Sequence, residues 1–150
     1  MGSNDGDMTM TEVSLVNGGP DFTVALVPDL RALAPMRREV ARRLRECHVA
    51  PSAIEDLLLI LSELCTNAIE FTAPSGEAIL VRVQLGATAI TIEVQNSGVP
   101  FATAATTGDE NASSDAERGR GLSIVRTLAD VVTLRHHDGR SVVTAVMALR

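Results

Sequence analysis

Arg118-Gly119-Arg120-Gly121-Leu122-Ser123-Ile124-Val125 is a glycine pair set directly in front of an apolar helical run. Glycines there let backbone N–H groups face an anion, with the positive end of the helix dipole behind them. The stretch is not a Walker loop, which needs a lysine on the phosphates, because the chain contains no lysine at all. Nor is it a dinucleotide fingerprint, since no strand–helix–strand unit surrounds it. The order of elements around it therefore decides the fold.

Upstream, residues 102–114 are small and polar and can neither pack nor hold a helix, so 96–118 reads as one long loop. A loop of that length inside a compact domain is usually functional. Before it stand two alternating, β-branched strands, 78–85 and 89–95. Earlier still, Ser52 and Glu55 form a capping box for a helix that runs to about Thr72. Its buried positions are Ile54, Leu57, Leu58, Leu61, Cys65 and Ala68, and Pro74-Ser75-Gly76 ends it. A first helix is capped by Asp29 and carries Leu33, Met36, Val40, Leu44 and Cys47 at spacings of three and four. Arg37, Arg38, Arg42, Arg43 and Arg45 crowd its other face, balanced by Glu39 and Glu46. Strand-like runs 12–16 and 22–27 flank a turn cluster at Asn17-Gly18-Gly19-Pro20. Downstream, a third helix starts near Gly121, and strands 131–135 and 142–149 are joined by a turn at Asp138-Gly139.

This order predicts an α+β, two-layer sandwich: a mostly antiparallel mixed sheet covered by about three helices. Residues 1–10 read as a disordered leader, and 11–150 as a single domain. With 150 residues, 45% hydrophobic and 21% charged, the chain can build an ordinary core. No apolar run is long enough to span a membrane, and the polar, acidic start does not read as a signal peptide, so a cytoplasmic setting is expected. Cys47 and Cys65 make neither a disulfide framework nor a zinc spacing. A net charge of −6 and only three aromatic residues disfavour a nucleic-acid binder.

Two further motifs carry chemistry. In Glu63-Leu64-Cys65-Thr66-Asn67-Ala68, Glu63 and Asn67 are four residues apart and stack on one helix face, at the edge of the apolar stripe. The pair offers a candidate base and a neutral oxygen ligand for Mg²⁺. In Asn96-Ser97-Gly98-Val99-Pro100, at a strand end, Asn96 can present a donor and an acceptor, and Gly98 permits close backbone approach. Alone, each motif also suits an ordinary solvated helix face, a strand-ending turn or a hinge.

Together, in this order, they resemble the GHKL (Bergerat-fold) ATP-binding family of gyrase, Hsp90, MutL and the histidine kinases. Glu63 to Ala68 looks like the N box, Asn96 to Pro100 like the first glycine box, and Arg118 to Val125 like the second. Within it, the small size and the Gly-Arg-Gly-Leu-Ser-Ile-Val run look most like the anti-sigma-factor serine/threonine kinases (RsbW-like). The resemblance implies ATP and Mg²⁺ as cofactors, and a sigma factor and an anti-sigma factor antagonist as protein partners. For many members it also implies a homodimer formed through the sheet edge. By position it makes Asn67 the Mg²⁺ ligand and Glu63 the catalytic group on the attacking hydroxyl. Asn96, Gly98, Gly119, Arg120, Gly121, Leu122 and Thr144 would bind the nucleotide, Thr144 near adenine, with residues 102–118 as lid.

Three positions depart from the family pattern. Asn96 replaces the adenine-reading aspartate, the first glycine box ends in Val99-Pro100 where a second glycine is common, and Phe71 replaces the N-box histidine. A neutral acceptor binds the exocyclic amine more weakly than a carboxylate, so Asn96→Asp is expected to strengthen ATP binding. The same departures leave room for a non-catalytic interaction module of the same fold. A detached histidine-kinase ATPase domain is a third reading. It ranks last, because no helical hairpin with an acceptor histidine precedes the fold.

Overall fold

The computed structural model describes residues 11–14, 21–72, 77–97 and 123–149. In chain order these form β1 (Thr11–Ser14), β2 (Asp21–Leu26), α1 (Leu33–Glu46), α2 (Pro51–Thr72), β3 (Ile79–Leu85) and β4 (Ala89–Ser97). A helical segment at 123–128, here α3, follows, then β5 (Val131–His137) and β6 (Arg140–Ala148). The strands join in one six-stranded sheet of order β1-β2-β3-β4-β6-β5. Every pairing in it is antiparallel, so the expected sandwich is present without a parallel strand among the described residues.

The helices cover one face. Alternation places Phe22, Val24 and Leu26 of β2, Ile79, Val81 and Val83 of β3, and Ile90, Ile92 and Val94 of β4 under them. Val143, Ala145 and Met147 of β6 continue that inner face, and Val125 and Ala129 are buried with it. From above, Met36, Val40 and Leu44 of α1 and Leu57, Ile60, Leu61 and Leu64 of α2 fill the layer between. Burying each such side chain contributes about 1.5–3 kcal/mol, and the two helices bring them in at the three- and four-residue spacings read from the sequence.

Several boundaries differ from the sequence reading for local reasons. α2 begins at Pro51, ahead of the Ser52 expected to cap it: the Ala50 carbonyl already accepts from Ile54 N at 3.0 Å. Proline suits that first position because its missing N–H would be unpaired there anyway. Asp29 caps a 3₁₀ turn at Leu30–Ala32 rather than α1 itself, accepting from Arg31 N at 2.9 Å. The side-chain and backbone hydrogen bonds from Arg31 hold its carboxyl at about 2. β5 and β6 run on to His137 and Arg140 because Asp138 and Gly139 both take positive φ (53° and 74°), a two-residue turn of the twist-matched kind. β4 likewise continues through Asn96 and Ser97.

The arginine face of α1 is divided. Arg37, Arg38, Arg42 and Arg45 are exposed, and Arg42 pairs with Glu39 and with Glu46 at 2.7 Å. Arg43, expected outside with them, instead turns inward and sets its guanidinium 5.1 Å from the centre of the Phe22 ring. Cys65 is fully enclosed in α2, and burial pushes its thiol up to about 12. A thiol reagent at pH 8 is therefore expected to label Cys47, which is half-buried, and to reach Cys65 only on unfolding. Mass spectrometry of the native labelling reaction checks this; modification of Cys65 in the folded protein would contradict the packing.

Candidate functional site

The site forms where the C-terminal half of α2 meets the far ends of β4 and β6. Thr72, fully buried in the last turn of α2, donates its hydroxyl to the Ser97 carbonyl at 3.1 Å and so ties the helix to the end of β4. Asn67 lies five residues earlier, about 7.5 Å along the helix axis. It is 5% exposed, and its Nδ2 is buried with no hydrogen-bond partner among the described residues. Glu63, one turn before it on the same face, is half-buried. The i,i+4 stacking read from the sequence therefore holds, with the amide inside and the carboxylate at the rim.

Asn96 is the penultimate residue of β4, 1% exposed and on the helix-covered face. Its Nδ2 donates to the Ser97 carbonyl at 3.0 Å. That carbonyl can only accept, so it fixes which end of the carboxamide points where. Oδ1 is left buried, with no hydrogen-bond partner among the described residues.

Directly across the β4–β6 ladder from Asn96 is Ser141, completely buried, its Oγ also without a partner. An unpaired buried acceptor or hydroxyl costs about 1–3 kcal/mol. Two such atoms share one cross-strand pair, and the Asn67 Nδ2 donor stands on the facing helix, so this corner of the fold has hydrogen-bonding capacity unused among the described residues.

The hydroxyl expected at Thr144 is on the wrong face. Thr144 pairs with Glu93 and Thr133 and stands half-exposed on the sheet surface away from the helices. Because side chains alternate along a strand, a residue three positions from Ser141 must point to the opposite side. Ser141 takes the interior place. The sequence held a signal for it: stepping back by twos through Met147, Ala145 and Val143 lands on Ser141. That count needs a strand running back to Arg140, and hence the tight Asp138-Gly139 turn.

Gly98, Gly119, Arg120, Gly121 and Leu122, the lid 102–118 and the turn at 17–20 lie outside the described residues. Among the described residues no three His, Cys, Asp or Glu side chains gather into a metal site. A Mg²⁺ ion here would be held by the Asn67 amide oxygen together with phosphate and water oxygens, a ligand set that ion accepts.

Comparison with known proteins agrees with the fold. The family described as Histidine kinase-like ATPase domain matches residues 26–147. No curated protein sequence matches the chain. Among solved structures, the RsbU and RsbW domains of Rv1364c from Mycobacterium tuberculosis superpose with a TM-score of 0.67 at 19% identity, over 87% of this chain and 33% of that one. The chain thus spans about a third of that protein's length. The SiaB–SiaC complex from Pseudomonas aeruginosa gives 0.57 at 15% identity, over 97% of this chain and 95% of that one. At these identities the likeness establishes the fold.

Proposed function

Because the chain belongs to the histidine kinase-like ATPase domain family, we propose that it binds ATP with Mg²⁺ and transfers a phosphoryl group to a serine or threonine of an antagonist protein. In the same reading it holds a sigma factor when that antagonist is absent. The observation that carries the nucleotide half is the orphaned cross-strand pair Asn96 Oδ1 and Ser141 Oγ. An acceptor beside a hydroxyl, both buried, matches the exocyclic amine of adenine and the ring edge next to it. Support for the protein half comes from the fold shared with an RsbW domain and with SiaB–SiaC.

Within this proposal each residue has a stated task. Asn96 accepts from the adenine amine, and Ser141 supplies the neighbouring hydroxyl. Asn67 presents its amide oxygen to Mg²⁺, whose charge neutralises the phosphates during transfer. Glu63, at the rim, orients the incoming hydroxyl and receives its proton. Gly98, Gly119, Arg120, Gly121 and Leu122 are assigned to the phosphates and the lid hinge from the sequence alone.

Calorimetric titration with ATP, with and without Mg²⁺, tests the reading, followed by transfer of γ-labelled phosphate to a candidate antagonist protein. Binding with transfer supports it, and absence of binding at millimolar ATP overturns it. Binding without transfer favours the non-catalytic interaction module, for which Asn96 and Phe71 in place of the family's aspartate and histidine are the specific arguments.

The partner side has its own surface. Arg37, Arg38 and Arg45 are exposed on α1 and make no ion pair among the described residues, although the chain as a whole carries −6. We assign this face to an acidic surface on the partner, for which the arginine fork is well suited. Arg37→Glu with Arg38→Glu is expected to slow partner association about tenfold and to flatten its salt dependence. ATP binding should be unchanged, since the site is built from α2, β4 and β6. Stopped-flow association across a salt series measures both effects; rates equal to wild type would return the face to solvent.

A further inference from the structure

We propose that Thr72 is a positioning residue that sets which purine base the site accepts. The inference rests on the nucleotide-binding reading and deepens it. A carboxylate at the position of Asn96 could only accept a hydrogen bond, but a carboxamide is ambivalent. Turned one way it accepts from a 6-amino group; turned over, it donates to a 6-oxo group. With Asn96 the site needs something else to choose.

The structure supplies it. The Ser97 carbonyl receives Asn96 Nδ2 at 3.0 Å and the Thr72 hydroxyl at 3.1 Å, two donors on one oxygen. Thr72 is fully buried in α2, so the carbonyl of the last β4 residue is aimed by the helix above it. While that carbonyl holds Nδ2, the carboxamide keeps Oδ1 as its free end, on the same buried cross-strand pair as the Ser141 hydroxyl. An acceptor in that place takes an adenine amine and repels the keto oxygen of hypoxanthine or guanine. Removal of the Thr72 hydroxyl takes away this hydrogen bond from α2 to the carbonyl. The carboxamide can then turn over and meet a keto base with its NH₂.

The test is calorimetric titration of the whole chain with ATP and with inosine triphosphate, which differ at the 6-substituent and at the adjoining N1, an acceptor in adenine and an N–H donor in hypoxanthine that a serine hydroxyl can meet either way. Wild type is expected to prefer ATP by about 30-fold or more. Thr72→Val keeps the volume and loses the hydroxyl. It should bring the ratio to about fivefold or less, with ATP binding loosened and inosine triphosphate binding tightened. Thr72→Ser should restore the preference, which a purely structural effect on helix packing would not do.

An undiminished ratio in a Thr72→Val protein that still binds ATP overturns the role of Thr72 alone. A wild-type ratio near one overturns the orientation of Asn96. Failure of wild type to bind either nucleotide overturns the nucleotide reading itself, and this inference with it. Should Thr72→Val not fold, the wild-type side-chain amide of Asn96 still decides by NMR. Its Nδ2 protons are expected to exchange slowly with and without ATP, and exchange as fast as that of a surface amide would refute the lock.

Discussion

Asn67→Ala is expected to lower Mg²⁺-dependent phosphotransfer by about 10²–10³-fold while leaving the fold standing. The loss follows from removing the one described side-chain oxygen assigned to Mg²⁺ at the phosphates. The fold survives because the side chain contributes little to the ligand-free protein: Nδ2 is buried without a partner, so its removal deletes an unsatisfied donor rather than a bond. Alanine is also the better helix former. Three measurements separate the possibilities. Thermal melting should be within a few degrees of wild type, ATP affinity without Mg²⁺ should be retained, and the increment that Mg²⁺ adds should vanish. Unchanged turnover at saturating Mg²⁺ would remove Asn67 from the site.

The second large effect is a split response at Asn96. From the sequence, Asn96→Asp promises tighter ATP through a charge-assisted bond to the adenine amine, on the order of tenfold. The structure adds a term of opposite sign in the ligand-free protein. Nδ2 now donates to the Ser97 carbonyl at 3.0 Å, whereas a carboxylate oxygen in its place would face that carbonyl with no proton between them. The Asp form should therefore be less stable by about 1–3 kcal/mol and yet bind ATP more tightly, since the amine relieves a charge that has no partner among the described residues. Burial raises such a carboxyl's pKa, so the affinity gain should fade as the pH falls and the group protonates. Denaturant unfolding paired with calorimetry reads the two halves. An Asp variant as stable as wild type would mean that the Asn96–Ser97 bond contributes nothing, and weaker ATP binding would mean that the base lies elsewhere.

How much could be read beforehand depended on whether the information was local. Helix spacing located α1 and α2 within a few residues, because a periodic apolar stripe is a property of a short window. The Glu63–Asn67 pair was legible for the same reason, four residues on one helix. Asn96 was found from its motif, but its burial was not, since the strand was taken to end at Gln95 and the extension comes from pairing with β6. Ser141 and Thr72 escaped altogether. Nothing near Ser141 in the sequence announces that Asn96 will lie across from it, and Thr72 acquires its importance only through a carbonyl 25 residues away. Arg43 was misplaced by the same limit: helical periodicity shows which residues share a face, not that Phe22 waits beneath one of them.

The order β1-β2-β3-β4-β6-β5 also has a kinetic meaning. β1–β2, β3–β4 and β5–β6 each pair neighbours in the chain and can zip early. The seams between them, β2 with β3 across both helices and β4 with β6 across the long segment after Ser97, close remote ends and bear most of the loop entropy. The Asn96–Ser141 pair lies on the second seam, so the proposed base site comes into being only when the last hairpin docks. Any fluctuation that lifts β5–β6 from β4 dismantles the site while α2 stays in place. A nucleotide bound there would act as a clasp on that seam, slowing its opening and making the persistence of the C-terminal hairpin a function of ligand concentration.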